Sequence, residues 1–315
     1  MSLFFGVDTS NYTTSVAIFD SDKGIVSNSK KLLPVDDGEV GLMQSKALFE
    51  HVRQLPSVTE AAFSCFNKND VLTAEAVSST PRDVDGSYMP VFLAGISCAT
   101  AIAASHCIPL YKTSHQAGHV AAALYSADRF DLFNKRFIAF HLSGGTTEAL
   151  LVEPDDEKIF KITQIARTLD LKAGQVIDRV GVMLGLSFPA GAMLDKLAVN
   201  GKLRKKPNVC LKGCNCCLSG VENICKRMID NGYCKEDVAR YAIEHIYETL
   251  YAMIKCIKDE YSDLPMVFAG GVMSNSIIRS RLSEKGAIFA KPEFSSDNAA
   301  GVAVLSYLLY SKREF

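Results

Sequence analysis

The same arrangement of strand, polar turn and strand occurs twice in this 315-residue chain, and it restricts the possible folds more than any other feature. The first copy is FFGVDTSNYTTSVAIF, residues 4–19, in which two apolar runs flank the polar turn DTSN. The second copy is RFIAFHLSGGTTEALLVEP, residues 136–154, with the turn SGGT. Apolar runs on both sides of a short polar turn predict β-hairpins.

Strands and helices are predicted to follow each hairpin. AEAVSST and IPLYKTS are strand candidates, and the small-residue segment VFLAGISCATAIAASHC lies between them as a helix. After the second hairpin, AGQVIDRVGVMLGL and EDVARYAIEHIYETLYAMIKCIK show the three- and four-residue apolar spacing of amphipathic helices. PMVFAGGVMSN is a buried strand that enters a glycine turn, and SSDNAAGVAVLSYLLYS is a capped terminal helix. We therefore expect a duplicated α/β architecture with a cleft between two lobes.

The composition favours a compact protein without strong nonspecific affinity for polyanions. Hydrophobic residues make up 48% of the chain, and 34 basic residues face 35 acidic ones, so the formal net charge is −1. A local basic patch could still bind RNA. The start MSLFFGVDTS lacks the basic region of a signal peptide, and no uncharged apolar run reaches the ~18 residues that span a bilayer. We expect a cytoplasmic protein with no membrane contact.

The ten cysteines are scattered and are expected to be reduced thiols. The densest group is CLKGCNCC, residues 210–217, with Cys225 nearby. It lacks the paired CxxC spacing of structural zinc sites. These cysteines are predicted to act as small apolar residues.

The stretch TSHQAGHVAAAL places His115 and His119 one helical turn apart, so that both imidazoles can face one metal ion. Histidines at this spacing also occur as ordinary core or capping residues. A protease of the HExxH type needs a glutamate after the first histidine as general base, and this chain has Gln116 there. The metalloprotease interpretation is therefore excluded.

Three polar turns are candidates for holding a nucleotide: residues 8–11, the SGGT turn and the AGGVMSN turn at residues 269–275. Glycines let a backbone approach a ligand closely, and amides at a helix start suit phosphate oxygens. Tight hairpin turns need glycine for other reasons. From these turns alone, nucleotide binding and ordinary turns both remain open.

Taken in order, these motifs resemble the TsaD family, the tRNA threonylcarbamoyladenosine synthases formerly described as O-sialoglycoprotein endopeptidases (Gcp). GVDTSNYTTSVAIFD is similar to the opening phosphate-binding hairpin of that family, HQAGH to its HxxxH motif and LSGGT to its VSGGH loop. AGQVIDRVGVMLGLSFPAG is similar to its AGEAFDKxxxxLGLxYPGG signature. LSG at residues 218–220, AGGVMSN and SSDNAAGVA then follow in the order of the family.

The resemblance implies an actin-like ATPase (ASKHA) fold with two duplicated βββαβα lobes around a central cleft. The N-terminal lobe would cover residues 1–110, with a C-terminal helix near 297–312 packing back on it. The second lobe, residues 111–296, would carry the metal and nucleotide site. The implied ligands of one divalent metal, iron or zinc, are His115, His119 and Asp297. The implied pocket for an ATP- or AMP-type nucleotide or threonylcarbamoyl-adenylate is lined by Ser143, Gly144, Gly145, Thr146, Asp178, Gly191 and Asn275.

The implied activity is an acyl transfer that moves the threonylcarbamoyl group from its adenylate to the adenosine next to the tRNA anticodon. The implied partners are tRNA, a TsaB-like paralog and a small ATPase. No catalytic residue is assigned beyond the metal site.

Several positions differ from the family pattern. Thr13 replaces an acidic residue of the first hairpin, Thr146 replaces the histidine of VSGGH, and Gln175 replaces the glutamate of AGEAFD. These differences suggest a divergent paralog. Two alternatives therefore stay open: a carbamoyl or acyl transferase with another acceptor, and a non-catalytic nucleotide-binding paralog of the synthase. Both histidines and Asp297 are retained, which argues against the second alternative.

Overall fold

The computed structural model describes residues 2–10, 12–34, 42–67, 70–295 and 299–313. The strands are β1 (Ser2–Asp8), β2 (Thr13–Asp20), β3 (Gly24–Leu32), β4 (Val71–Thr80), β5 (Leu110–Ser114), β6 (Phe137–Leu142), β7 (Thr147–Asp155), β8 (Ile159–Arg167), β9 (Cys210–Lys212), β10 (Asn215–Cys217), β11 (Met266–Ala269) and β12 (Ile288–Phe289). The α-helices are α1 (Gln44–Phe63), α2 (Phe92–His106), α3 (His115–Ser126), α4 (Ala173–Met183), α5 (Gly191–Asn200), α6 (Ser219–Asp230), α7 (Lys235–Glu260), α8 (Ser276–Ser283) and α9 (Ala300–Arg313). Within the described ranges, none of these helices combines the length and the apolar character that crossing a bilayer requires.

The chain forms two compact units. The first contains Met1–Lys135, Glu153–Ile162 and Ser296–Phe315, and the second contains Arg136–Val152 and Thr163–Ser295. The expected boundary at residue 110 differs from this division, because β5 pairs with β4 of the first sheet. Helix α3 also stays in the first unit, where it packs against α9.

The sheet of the first unit has the strand order β3-β2-β1-β4-β5. β1, β2 and β3 are antiparallel neighbours, whereas β4 runs parallel to β1 and β5 parallel to β4. Alternate residues of β1 cover opposite faces of the sheet, as the period of a strand requires. Phe5 contacts Phe63 at the end of α1, while Phe4 contacts Tyr307 and Tyr310 of α9. Helices therefore cover both faces of this sheet.

The sheet of the second unit has the order β12-β11-β6-β7-β8. β6 and β7 are antiparallel, β11 runs parallel to β6, and β12 parallel to β11. When the strands are numbered within each five-stranded sheet and read from the β3 edge or the β8 edge, both sheets have the order third, second, first, fourth, fifth. The predicted duplication is confirmed, since each unit begins with a meander and continues with parallel strands that helices connect.

The expectation that all cysteines are reduced is wrong for one pair. Cys214 and Cys256 are joined by a disulfide between the β9–β10 hairpin and α7, with Cα atoms 5.5 Å apart. That separation lies within the range that a disulfide spans, but 42 residues of sequence separate the two thiols. Cys216 and Cys225 are fully buried, and burial raises their pKa to about 11 and about 12. These two thiols pack as small apolar side chains.

Candidate functional site

The two histidines of HQAGH lie on the first turns of α3 and face the same side of the helix. Ser114 caps the helix, and its side-chain oxygen accepts a hydrogen bond from the backbone N–H of Ala117 at 3.2 Å. The ring centroids of His115 and His119 are 4.3 Å apart. The structure therefore brings the two imidazoles together, as their spacing predicts.

Asp8 holds the His115 ring in place. Asp8 Oδ2 is 2.7 Å from His115 Nδ1, and Ser10 Oγ lies at the same distance from that nitrogen. The other carboxylate oxygen of Asp8 accepts from the N–H of Ser10 at 2.7 Å, and the Ser78 hydroxyl donates to Oδ2 at 3.1 Å. Burial raises the pKa of Asp8, but the charge of His115 and the hydrogen bonds from His115 and Ser10 outweigh it and hold the pKa below its usual value. Asp8 is thus an ionised carboxylate that orients an imidazole.

This role of Asp8 was not predicted. The available signal was its place as the last residue of β1, whose carboxyl end lies beside that of the parallel strand β4. Side chains at the carboxyl ends of neighbouring parallel strands share one edge of a sheet.

The third ligand in the family pattern, Asp297, lies outside the described residues. The chain that follows it is described: α9 crosses α3 where Gly301 meets Gly118, and a Cβ on Gly301 would collide with the carbonyl of Gly118. Gly118 precedes His119, so α9 starts close to the histidine pair. Among the described residues, no three His, Cys, Asp or Glu side chains are arranged to hold a metal.

In the second unit, the SGGT turn closes on itself. The Ser143 N–H donates to the carbonyl of Thr146 at 2.8 Å, and the N–H groups of Gly145 and Thr146 donate to Ser143 Oγ at 3.3 and 3.1 Å. Gly144 and Gly145 are exposed, and nothing lies within 4 Å of the position that a Cβ would take on either. The turn therefore presents two accessible glycines on a hydrogen-bonded hairpin.

Two other glycine-containing segments pack against this hairpin: the start of the predicted AGQV helix and the predicted AGGV turn. A Cβ on Gly174, at the start of α4, would lie 2.6 Å from the backbone nitrogen of Gly144. Gly270 has φ +98°, and a Cβ there would collide with the carbonyl of Leu142. The glycines of SGGT, AGQV and AGGV thus lie together at one end of the second sheet.

Asp178 and Gly191 are connected through the start of α5. The Asp178 carboxylate accepts from the N–H of Ala190 at 2.9 Å, and α5 begins at the next residue. Burial raises the pKa of Asp178, and the hydrogen bond opposes this rise. Asp178 therefore positions the helix start that contains Gly191.

Both polar atoms of the Asn275 side chain form hydrogen bonds within the second unit. Its side-chain oxygen accepts from the N–H of Ile278 and caps α8, while its amide donates to Asp195 at 2.8 Å. Asp195 also accepts from the N–H and the hydroxyl of Ser276. Asp195 was not predicted, although it lies one helical turn after Gly191. The predicted contacts of Asn275 and of the other pocket residues with a nucleotide stay predictions.

Solved structures show the same fold at low identity. The chain matches the HypF structure from T. kodakarensis with a TM-score of 0.63 and 14% identity, over 99% of this chain and 48% of that one. This chain therefore spans about half the length of that relative. It matches component A of the (R)-2-hydroxyglutaryl-CoA dehydratase from Acidaminococcus fermentans over 99% of this chain and all of the other, with a TM-score of 0.56 and 15% identity.

A ROK family glucokinase from Streptomyces griseus, solved with glucose and AMPPNP, matches with a TM-score of 0.53 and 11% identity, over 97% of this chain and 99% of that one. At these identities the matches show the fold, and the predicted actin-like ATPase fold is confirmed. The family model described as tRNA N6-adenosine threonylcarbamoyltransferase matches residues 29–304. That match spans most of the chain and includes the histidine pair, the glycine turns and Asp178, and the chain therefore belongs to the TsaD family.

Proposed function

We propose that this protein transfers a threonylcarbamoyl group from its adenylate to the exocyclic N6 of the adenosine next to the tRNA anticodon. In this reaction N6 attacks the carbamoyl carbon, the bond from that carbon to the phosphate oxygen breaks, and AMP and a proton leave. Family membership supports the reaction class. The observation in this molecule that supports it most is the His115–His119 pair with Asp8 bound to the first ring.

His115, His119 and Asp8 fit part of a metal centre, namely two ligands and the carboxylate that orients the first of them. A metal-bound histidine commonly donates a hydrogen bond from its other ring N–H to a carboxylate. This hydrogen bond fixes the tautomer and raises the basicity of the ligand. Asp8 has this relation to His115. His115, His119 and Asp297 would hold the ion, iron or zinc, which when bound would polarise the carbamoyl carbonyl.

The second unit offers groups suited to the adenylate. The exposed backbone of Gly144 and Gly145 and the N-terminus of α5 at Gly191 can approach phosphate oxygens. Asp178 holds the start of α5 through Ala190. In this proposal Asp178 acts as a positioning residue.

A TsaB-like partner would need an apolar surface, and the first unit has one between α1 and α2. A groove of about 750 Å³ is lined by Leu48, Val52, Leu55, Leu93 and Ala94. Val52 is 55% exposed and Leu93 43% exposed. Exposed apolar residues grouped in this way are typical of protein interfaces. A Val52→Glu variant should lose partner binding and keep its metal.

The second candidate function is the same group transfer to an acceptor other than tRNA. Its support is local: Gln175 carries no charge and its side-chain oxygen accepts from the N–H of Lys172, while Thr146 supplies no imidazole. Loss of one preorganised polar group from a catalytic site commonly costs on the order of a hundredfold in rate. Modification of tRNA is therefore expected to be slower than in family members that have these groups.

The test combines metal content with product formation. Purified protein, synthesised threonylcarbamoyl-adenylate, tRNA and a TsaB-like partner are incubated, and the nucleosides are analysed by mass spectrometry. Wild type should modify the adenosine and contain about one metal ion per chain, whereas His115→Ala/His119→Ala should do neither. His106→Ala, which removes an exposed histidine at the end of α2, is the matched control. Equal metal in wild type and the double variant would refute the metal centre. Metal without tRNA modification would favour the other acceptor.

A further inference from the structure

A cavity of about 420 Å³ opens on the second unit at the amino end of β11. Pro265 and Met266 form part of its wall, so it lies where β11 begins, whereas the Gly270 turn lies where β11 ends. The cavity is therefore separate from the glycine turns. The proposed transferase reaction does not use it.

Three lysines surround the opening. Lys255 and Lys258 come from the last turns of α7, and Lys285 follows α8. All three are exposed, and none forms an ion pair with a carboxylate in the part of the chain that the structure describes. Asp263 is the acidic residue among those that line the cavity. The opening thus has an excess of positive charge.

Two of these ammonium groups face one aromatic ring. Lys255 Nζ lies 4.5 Å and Lys285 Nζ 4.9 Å from the centroid of the Tyr251 ring. The dipole of α7 favours a cation such as Lys258 in its last turn. That effect does not account for Lys285, which comes from another element and reaches the same ring.

The floor of the cavity is apolar. Met266, Phe268 and Leu282 line it and are buried. A planar heterocycle could cover these side chains and remove apolar surface from water, while a phosphate at the opening would meet the lysines. An inorganic anion would use the lysines only.

We propose that this cavity binds a nucleoside phosphate, with the base on the floor of Met266, Phe268 and Leu282 and the phosphate between Lys255 and Lys285. The ligand is either a free nucleotide or one nucleotide of an RNA strand, since both present the same base and phosphate. The site does not depend on the threonylcarbamoyl transfer.

Lysine acetylation read by peptide mass spectrometry tests this site separately from any other nucleotide site. The full chain is acetylated with AMP, adenosine, inorganic phosphate or a short single-stranded RNA present. AMP should lower the acetylation rates of Lys255 and Lys285 at least tenfold and should also slow that of Lys258 at the same opening, with a smaller effect from adenosine and from phosphate. Protection by RNA but not by AMP would identify a strand as the source. Lys226, exposed on α6, should react equally under all conditions.

The variant Lys255→Gln/Lys285→Gln keeps the apolar floor and removes two charges from the surface. The AMP concentration that gives half-maximal protection of Lys258 should then rise about ten- to a hundredfold above the wild-type value, as expected for the loss of charged hydrogen bonds. Lys226→Gln is the matched control and should leave that protection unchanged. The proposal would be overturned if neither AMP nor RNA protected the lysines, if phosphate protected them as well as AMP, or if the double variant behaved as wild type.

Discussion

Glu75 is buried in the middle of the first sheet, and its ionisation should set a pH limit on stability. It lies on β4 between β1 and β5 and is fully buried. Neither carboxyl oxygen has a hydrogen bond of good geometry among the described residues, and the backbone of Ala103 offsets only part of the cost of burial. Burial raises its pKa from 4.5 to about 8. At neutral pH the folded protein therefore holds this side chain mainly as the uncharged acid.

The sign of the pH dependence follows from this pKa. Because the folded chain keeps this proton more tightly than the unfolded chain, the contribution of Glu75 to stability is fully present at acid pH and is lost as pH rises from about 4.5 to about 8. Each unit of difference between the folded-state and unfolded-state pKa changes the free energy of unfolding by about 1.4 kcal/mol. Glu75 alone should lower the free energy of unfolding by roughly 3 kcal/mol between pH 5 and pH 8.

Glu75→Gln removes the titrating group and keeps its shape. We expect the difference in free energy of unfolding between the variant and wild type, from urea titrations, to grow by roughly 3 kcal/mol from pH 5 to pH 8 in favour of the variant. Comparing the two proteins cancels the other titrating groups. Glu60→Gln, on an exposed position of α1, is the control and should show no such growth. A difference between Glu75→Gln and wild type that stays constant with pH would refute the reasoning.

Three further outcomes are expected. Asp8→Asn should weaken metal binding about ten- to a hundredfold in an equilibrium metal titration, because an amide orients the His115 ring less firmly than a carboxylate. An unchanged metal affinity would contradict the role of Asp8 in orienting His115. Thiol titration of the unreduced, denatured protein should find eight of the ten cysteines reactive, since Cys214 and Cys256 are paired; a count of ten would show that this bond is absent. Gly270→Ala should lower the free energy of unfolding by more than about 1 kcal/mol in urea titrations, because Gly270 has a positive φ and an added Cβ meets a backbone carbonyl. A variant as stable as wild type would show that the turn relaxes around the added Cβ.

Much of the local structure could be predicted from the sequence. Apolar alternation around short polar turns predicted both hairpins, and the four-residue spacing of His115 and His119 placed both rings on one face of α3. These patterns are determined by the repeat of a strand or a helix, which neighbouring residues already define. The order of the motifs along the chain was sufficient to indicate the family and its fold.

Only the tertiary structure decided which distant side chains meet. Asp8 orients His115, which lies 107 positions later in the sequence, and Asp195 accepts a hydrogen bond from Asn275, which lies 80 positions later. Pairs so far apart meet only when strands and helices from separate parts of the chain pack at one edge of a sheet. Burial is decided in the same way: Glu75 reads as an ordinary polar residue in AEAVSST, yet strands on both sides and the packed helices remove its carboxyl from water. Local periodicity determines the direction of a side chain relative to its own element, whereas its partners and its solvation depend on how the elements pack together.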